Sequence, residues 1–180
     1  MKKKPLEALL LAYHSASRQQ EIVKHQMLDF LSNVNCFERG CQAGHFTASA
    51  LLLDKYQQHA LLMYHRKLNK WVQLGGHCDG QHDLLKVALK EASEESGIEG
   101  IVPVSDAIFD LDIHLIPENP REAEHFHYDV RFLLKVVSDE LIRLNDEALD
   151  LRWFRNDLAS LPTKAKSVTR LFDKWGSQWQ

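Results

Sequence analysis

Two stretches of strict alternation constrain this chain more than any other feature. In the first, Phe109, Leu111, Ile113 and Leu115 interleave with Asp110, Asp112 and His114. In the second, Phe126, Tyr128, Val130 and Phe132 interleave with His125, His127, Asp129 and Arg131. A period of two sends alternate side chains to opposite faces, so each segment is expected as a half-buried strand. The linker Pro117–Glu124, with two prolines and an asparagine, lets the two strands pair. Upstream, Phe46–Leu53 and Ala60–Tyr64 are short and apolar, and Asp54–Gln58 between them suits a hairpin turn. A third short strand, Trp71–Leu74, runs into Gly75-Gly76, and a last one is expected near Leu149–Phe154.

Helical spacing marks the rest. Leu6, Leu9, Leu10 and Tyr13 form one apolar set and Val23, Met27, Phe30 and Val34 a second, with the polar stretch Ser15–Gln20 between them. These N-terminal helices are read either as a cap on the core or as a dimerisation or substrate-specificity element. From Asp83 to Ser96 a helix is expected, with Asp83 as its N-cap, Leu85, Leu89 and Ala92 as its apolar stripe, and Gly97 to stop it. Val168, Leu171, Phe172 and Trp175 predict a C-terminal helix.

A chain of 180 residues suffices for one domain with a full core. With 22 basic against 25 acidic residues, its net charge of −3 offers no electrostatic support for coating nucleic acid. No apolar run approaches the ~20 residues needed to span a bilayer. The basic head Met1–Pro5 has the look of a signal peptide, but Glu7 interrupts it and Ala8–Ala12 is too short an apolar run. A cytoplasmic location is therefore expected. Cys36, Cys41 and Cys78 are odd in number and lack zinc-site spacing, so thiols are expected.

Chemistry concentrates between Gly76 and Ile98. Glu91, Glu94 and Glu95 stand at i, i+3 and i+4, within one turn on one helical face. Like charges at that spacing repel by about a few tenths of a kcal/mol per pair, and Lys86 and Lys90 are placed to soften this. The face is open to two readings, a solvated acidic surface or a seat for a hard cation such as Mg²⁺, which takes oxygen ligands.

The stretch resembles the signature of the Nudix hydrolase family, G-x5-E-x7-R-E-U-x-E-E-x-G-U, where U is a bulky apolar residue. Gly76, Glu91, Ala92, Glu94, Glu95, Gly97 and Ile98 fall on their slots without insertion, Ala92 being small for its place. His82 replaces the first glutamate and Lys90 the arginine. Lysine keeps the charge but loses the planar fork, and Asp79 or Asp83 is available to partner a cation where His82 is not. The resemblance implies an α/β fold, an α/β/α sandwich around a mixed sheet, carrying extra N-terminal helices. It reads as a single domain over 1–180, with a helical extension at 1–40 and the core at 45–180.

The resemblance also implies a pyrophosphohydrolase that cleaves the diphosphate linkage of a nucleoside diphosphate joined to another moiety, such as a sugar. Glu91, Glu94 and Glu95, with the Gly75 carbonyl, would hold Mg²⁺ or Mn²⁺. Glu94 or Glu95 would take the proton of the attacking water, Lys90 would orient the catalytic carboxylate, and Glu147 in the loop Asn145–Glu147 would supply a further acidic ligand or base. The expected partner is a nucleotide-type small molecule, with no nucleic acid and no membrane, and a homodimer is allowed for. Two rivals stand beside this reading. One is a ligand-sensing or protein-binding module without turnover. The other is attack at the sugar carbon or isomerase chemistry, for which Cys78 is the one local thiol.

The histidines make a second constellation. His125, His127 and Asp129 share one strand face, and Asp110, Asp112 and His114 share another. Paired with polar faces together, they would line a cavity for a polar substrate group, with His77 in the adjoining loop. In one branch of the family that this chain resembles, the sugar-nucleotide hydrolases that act at the sugar carbon, a histidine serves as base, a role the resemblance opens to His125 or His127. A separate His/Asp transition-metal site and a merely solvated sheet face are the other readings. Arg66, Lys67 and Lys70 form a basic turn placed either to reach phosphates or simply to be solvated.

Overall fold

The computed structural model describes residues 5–120 and 122–177; the basic head Met1–Lys4 lies outside the described residues. In chain order the elements are α1 (Leu6–Ala12), α2 (Arg18–Phe30), β1 (Gly44–Leu53), β2 (His59–His65), β3 (Lys70–Val72) and β4 (Leu74–His77). They continue with α3 (Leu84–Ser96), β5 (Ile101–Pro103), β6 (Asp110–Ile116), β7 (His125–Val136), β8 (Ala148–Arg155) and α4 (Lys166–Ser177). The fold is α/β with a mixed sheet, as the family resemblance implies. Strand order is β3-β2-β1-β7-β5, with β4 on β1, β6 on β7 and β8 on β2. Among the described residues no helix is long and apolar enough to cross a membrane. The chain forms two compact units. One takes in the described residues up to Ser49 with Gly76–Ala88 and Asp106–Phe132; the other takes in Ala50–Gly75, Leu89–Ser105 and the described residues from Leu133.

In the first unit the N-terminal helices cover β6. Buried Gln20 donates through Nε2 to the Leu111 carbonyl (2.9 Å), and its Oε1 accepts from the Leu111 amide and from the Tyr13 hydroxyl. One side-chain amide thus satisfies both backbone groups of Leu111, which an uncovered strand would expose to pairing with other chains. Phe30 stacks on Tyr128 at 3.8 Å between ring centroids. Val34, expected on the apolar face of the second helix, is instead 96% exposed. The helix stops at Phe30, and the turn that follows carries Val34 away from the core.

Strands β6 and β7 pair antiparallel with Asp110 opposite Arg131, Asp112 opposite Asp129, and His114 opposite His127, so the polar faces coincide as expected. Their environment corrects the solvated-face reading. Asp110, Asp129 and Arg131 are buried, while Leu115 and Phe126 are exposed. The apolar residues Leu111, Val130 and Phe132 are buried as well, so both faces are covered here, and Arg131 explains how the polar one can be. Its Nε donates to Asp129 (2.7 Å), and its two terminal nitrogens reach Asp110 (3.3 Å) and Asp112 (3.1 Å). Thr47 and Ser49 of β1 donate to the two oxygens of Asp129 at 3.0 and 2.8 Å. Burial opposes the guanidinium charge, but the three carboxylates outweigh it and hold the group above its ordinary pKa.

In the second unit β2 is the central strand, pairing antiparallel with β1, β3 and β8. The strand expected over Trp71–Leu74 is two strands. Trp71 pairs with Tyr64 in β3, whereas Gly75 and Gly76 lie within β4 on β1, because the chain changes partner at Gln73. Strand β5, which pairs Ile101–Pro103 with Leu134–Val136, is too short to carry a periodic signal and was not anticipated. Helix α4 buries Val168, Leu171, Phe172 and Trp175, the face its spacing predicts.

Replacing Arg131 by Met should cost about 3–5 kcal/mol in urea unfolding, because it strands Asp110 and Asp129 as buried uncompensated charges. Arg131→Lys should recover only part of that loss, having no fork to span three acceptors.

Candidate functional site

Helix α3 carries the acidic face because both of its ends are defined locally. At the start, the Asp83 carboxylate accepts from the Lys86 amide (3.3 Å) and its carbonyl from the Val87 amide (3.2 Å). At the end, Gly97 adopts φ +68°, where a Cβ would lie 2.5 Å from Cβ of Arg143, so the left-handed stop there requires glycine. The buried residues are Leu84, Val87, Ala88 and Ala92, while Leu85 and Leu89 of the predicted stripe are only half-buried. The stripe is rotated toward Glu95, which is itself buried.

Burial sets the electrostatics here. The Gly75 amide donates to Oε2 of Glu95 at 2.8 Å, placing the end of the β4 segment against this carboxylate. Desolvation pushes Glu95 up to about 8, the nearby charges of Glu91, Glu147 and Glu94 push the same way, and the Gly75 hydrogen bond opposes them. Exposed Lys90 donates to Glu91 (3.0 Å) and to Glu94 (2.9 Å), and these two bonds lift its ammonium to about 12. The lysine in the family's arginine slot is therefore bonded to two of the three box carboxylates.

Glu147 is held nearby by a braced loop. The Arg66 amide donates to the Glu147 carbonyl and its Nε to the Asp146 carbonyl, both at 2.8 Å. Asn145 accepts from the Glu147 amide (3.0 Å) and donates to the Glu94 carbonyl (3.4 Å). Arg66, expected to reach phosphates, thus braces the loop that presents Glu147. Glu91, Glu94, Glu95 and Glu147 offer oxygen-only donor chemistry, the kind a hard divalent cation takes.

In the first unit the loop after β4 is tied down by its own contacts. His82 stacks on Phe37 at 4.3 Å, and the Gly80 amide donates to the Phe37 carbonyl at 3.0 Å. Asp79, in the left-handed region at φ +46°, takes a two-bond grip from Arg39 at 2.5 and 2.9 Å. An aromatic stack and an ion pair thus fix the loop. Cys78, the thiol that isomerase chemistry would need, is 4% exposed.

The same unit gathers the histidines. His77 of β4 and His127 of β7 come together, with their rings 5.0 Å apart, and His125 lies 5.1 Å from His127. His114 lies 5.4 Å from His127 and is paired with Asp112 through Nδ1. Asp129 is not with them; its carboxylate is taken up by Arg131, Thr47 and Ser49. The residue that sequence reasoning missed is His45, whose ring is 4.7 Å from His127, 5.0 Å from His125 and 5.1 Å from His77. A signal for it exists, since His45, Thr47 and Ser49 alternate along an otherwise apolar strand. Gly44 at φ +133° lets β1 lie directly against the Phe126 backbone and so brings His45 in. Desolvation, reinforced by the neighbouring histidines, depresses His45 to about 4 and His127 to about 2, and burial lowers His77 as well.

The family model described as the NUDIX domain matches residues 44–175. Among solved structures, an Ap4A hydrolase of C. elegans in a binary complex superposes with TM-score 0.60 at 17% identity, covering 74% of this chain and 96% of that one. A NUDIX-family hydrolase from Clostridium perfringens gives TM-score 0.52 at 24% identity over 72% and 96% of the two chains. The E. coli dihydroneopterin triphosphate pyrophosphohydrolase gives 0.55 at 15% over 72% and 92%. No curated protein sequence matches the chain. At these identities the structural likeness speaks for the fold.

Glu95 yields a pH prediction for the metal-free protein. Its pKa rises from 4.5 to about 8 on folding, so its favourable contribution is complete below about 4.5 and is lost as pH climbs through about 8. The melting temperature measured with chelator present should fall across that window, and Glu95→Gln should remove this part of the slope.

Proposed function

The chain belongs to the Nudix hydrolase family, and from that premise we propose that it hydrolyses the diphosphate linkage of a nucleoside diphosphate joined to a second moiety, with Mg²⁺ or Mn²⁺ as cofactor. The observation that supports this most is the burial of Glu95 on the same helical turn as Glu91 and Glu94, where desolvation and the charges of Glu91, Glu147 and Glu94 push it up to about 8. Glu91, Glu94 and Glu95, with the Gly75 carbonyl, would hold the metal. When bound, such an ion neutralises charge on phosphate oxygens and makes water a better nucleophile.

The protein's own groups do the rest. Lys90 bonds both Glu91 and Glu94, which offsets their mutual repulsion on the helix face. Glu94 or Glu95 accepts the proton of the water attacking phosphorus. Glu147, presented by the loop that Arg66 and Asn145 brace, is the further acidic ligand or base. The Ap4A and the dihydroneopterin triphosphate for which the two similar structures are named share one feature with the proposed substrate, a phosphoanhydride.

The test is product analysis over nucleoside diphosphate sugars, dinucleoside polyphosphates and nucleoside triphosphates, each with Mg²⁺, with Mn²⁺ and with chelator. Nucleoside monophosphate plus a phosphorylated partner is expected from the first class, only with metal. Glu94→Gln and Glu95→Gln should each lower turnover at least ~10²-fold. Nucleoside diphosphate plus free sugar would mean attack at carbon. Metal binding without turnover of any compound would mean a ligand-sensing module.

A further inference from the structure

We propose that His45, His77 and His127 form a second metal site, selective for a borderline dication of the Zn²⁺ class and separate from the carboxylates of α3. One ring nitrogen from each of the three lies within 4.8 Å of the other two, so one ion can touch all three. The rings come from three strands, His45 from β1, His77 from β4 and His127 from β7.

His45 is the independent pointer to a ligand. It is 2% exposed, and among the described residues neither of its ring nitrogens has a hydrogen-bond partner. A buried polar atom left unpaired carries a desolvation penalty of about 1–3 kcal/mol. An imidazole with two such atoms, aimed into a nest of three further imidazoles, is poorly explained as packing. A metal bond at one nitrogen removes a penalty that no group of the protein relieves.

The surroundings suit coordination. A metal takes neutral imidazole, and these rings sit among other rings in a buried setting, with no carboxylate among the three ligands. His125 supports the cluster from outside the triad. Its Nδ1 meets the Ala123 carbonyl at 2.8 Å and its Nε2 stands 3.2 Å from Nε2 of His127, which fixes both rings.

Donor type decides the ion. The triad is all nitrogen, whereas Mg²⁺ and Mn²⁺ favour oxygen, so the cofactor proposed for the acidic helix is not expected here. Three imidazoles leave the fourth tetrahedral position for water or for a ligand oxygen.

The experiment uses the full chain stripped with chelator and then saturated with Mg²⁺, so that the carboxylates are occupied. Zn²⁺ is titrated against a chromophoric competitor, and Co²⁺ is followed by its visible absorption. One equivalent of Zn²⁺ and the intense visible bands of tetrahedral Co²⁺ are expected. His77→Gln and His127→Gln should each weaken Zn²⁺ by at least ~100-fold, since losing a ligand exceeds the ~10–100-fold cost of losing its supporting partner. Glu94→Gln should leave Zn²⁺ affinity unchanged. Absence of Zn²⁺ uptake, uptake surviving both histidine variants, or uptake lost in Glu94→Gln overturns the proposal. The wild-type Co²⁺ spectrum decides the matter even where a variant fails to fold, because a protein without tetrahedral bands has no such site. Hydrolysis of nucleotides is independent of every one of these outcomes.

Discussion

Three carboxylates that share one helical turn, one of them buried, are the constraint on which the electrostatics of this helix depends. Glu91, Glu94 and Glu95 cannot spread apart, because α3 holds them at i, i+3 and i+4 and its two ends are pinned by Asp83 and Gly97. The strain is divided unequally. Glu91 and Glu94 share the Lys90 ammonium, while buried Glu95 has only the Gly75 amide and responds by holding its proton. The Lys90 ammonium is the protein's own counter-charge on this face.

The polar faces of β6 and β7 raise the same problem and meet it in a different way. Burial there is tolerated because Arg131 offers several donors in a fixed plane, so Asp110, Asp112 and Asp129 are each bonded without water. Further along the same pair of strands the side chains are histidines, and burial disfavours the charged form of His127. One register therefore produces a buried ionic cluster and a nest of imidazoles. Covering the β6 strand with Gln20 belongs to the same economy, since it leaves the Leu111 backbone no free groups to offer another chain.

Alternation in residues 109–115 and 126–132 was enough to anticipate two strands, their pairing and the meeting of their polar faces. It could not say which face would be buried. A period-two pattern reports that the faces differ, and apolar faces are normally the inner ones; here the arginine makes the polar face an inner one. Helix α3 was legible to within a residue because its capping residues are local, yet its stripe was misjudged by a fraction of a turn. The cause is Glu95, an acidic side chain that no hydrophobic pattern would assign to the interior. The short β5 and the break at Gln73 depend on which strand each segment pairs with, and no local period encodes that choice.

The spacing of Glu91, Glu94 and Glu95 behind Gly76 was readable without coordinates, and with it the family, because an α-helix converts separation along the chain directly into separation in space. The roles of Arg66, Arg39 and His45 were not readable. Arg66 meets Asp146, and Arg39 meets Asp79, across long stretches of chain, and His45 joins His77 and His127 only when three strands converge. Geometry within a helix follows from covalent structure and backbone hydrogen bonds, whereas contacts between strands follow from register and burial. Those exist only once the whole chain has packed.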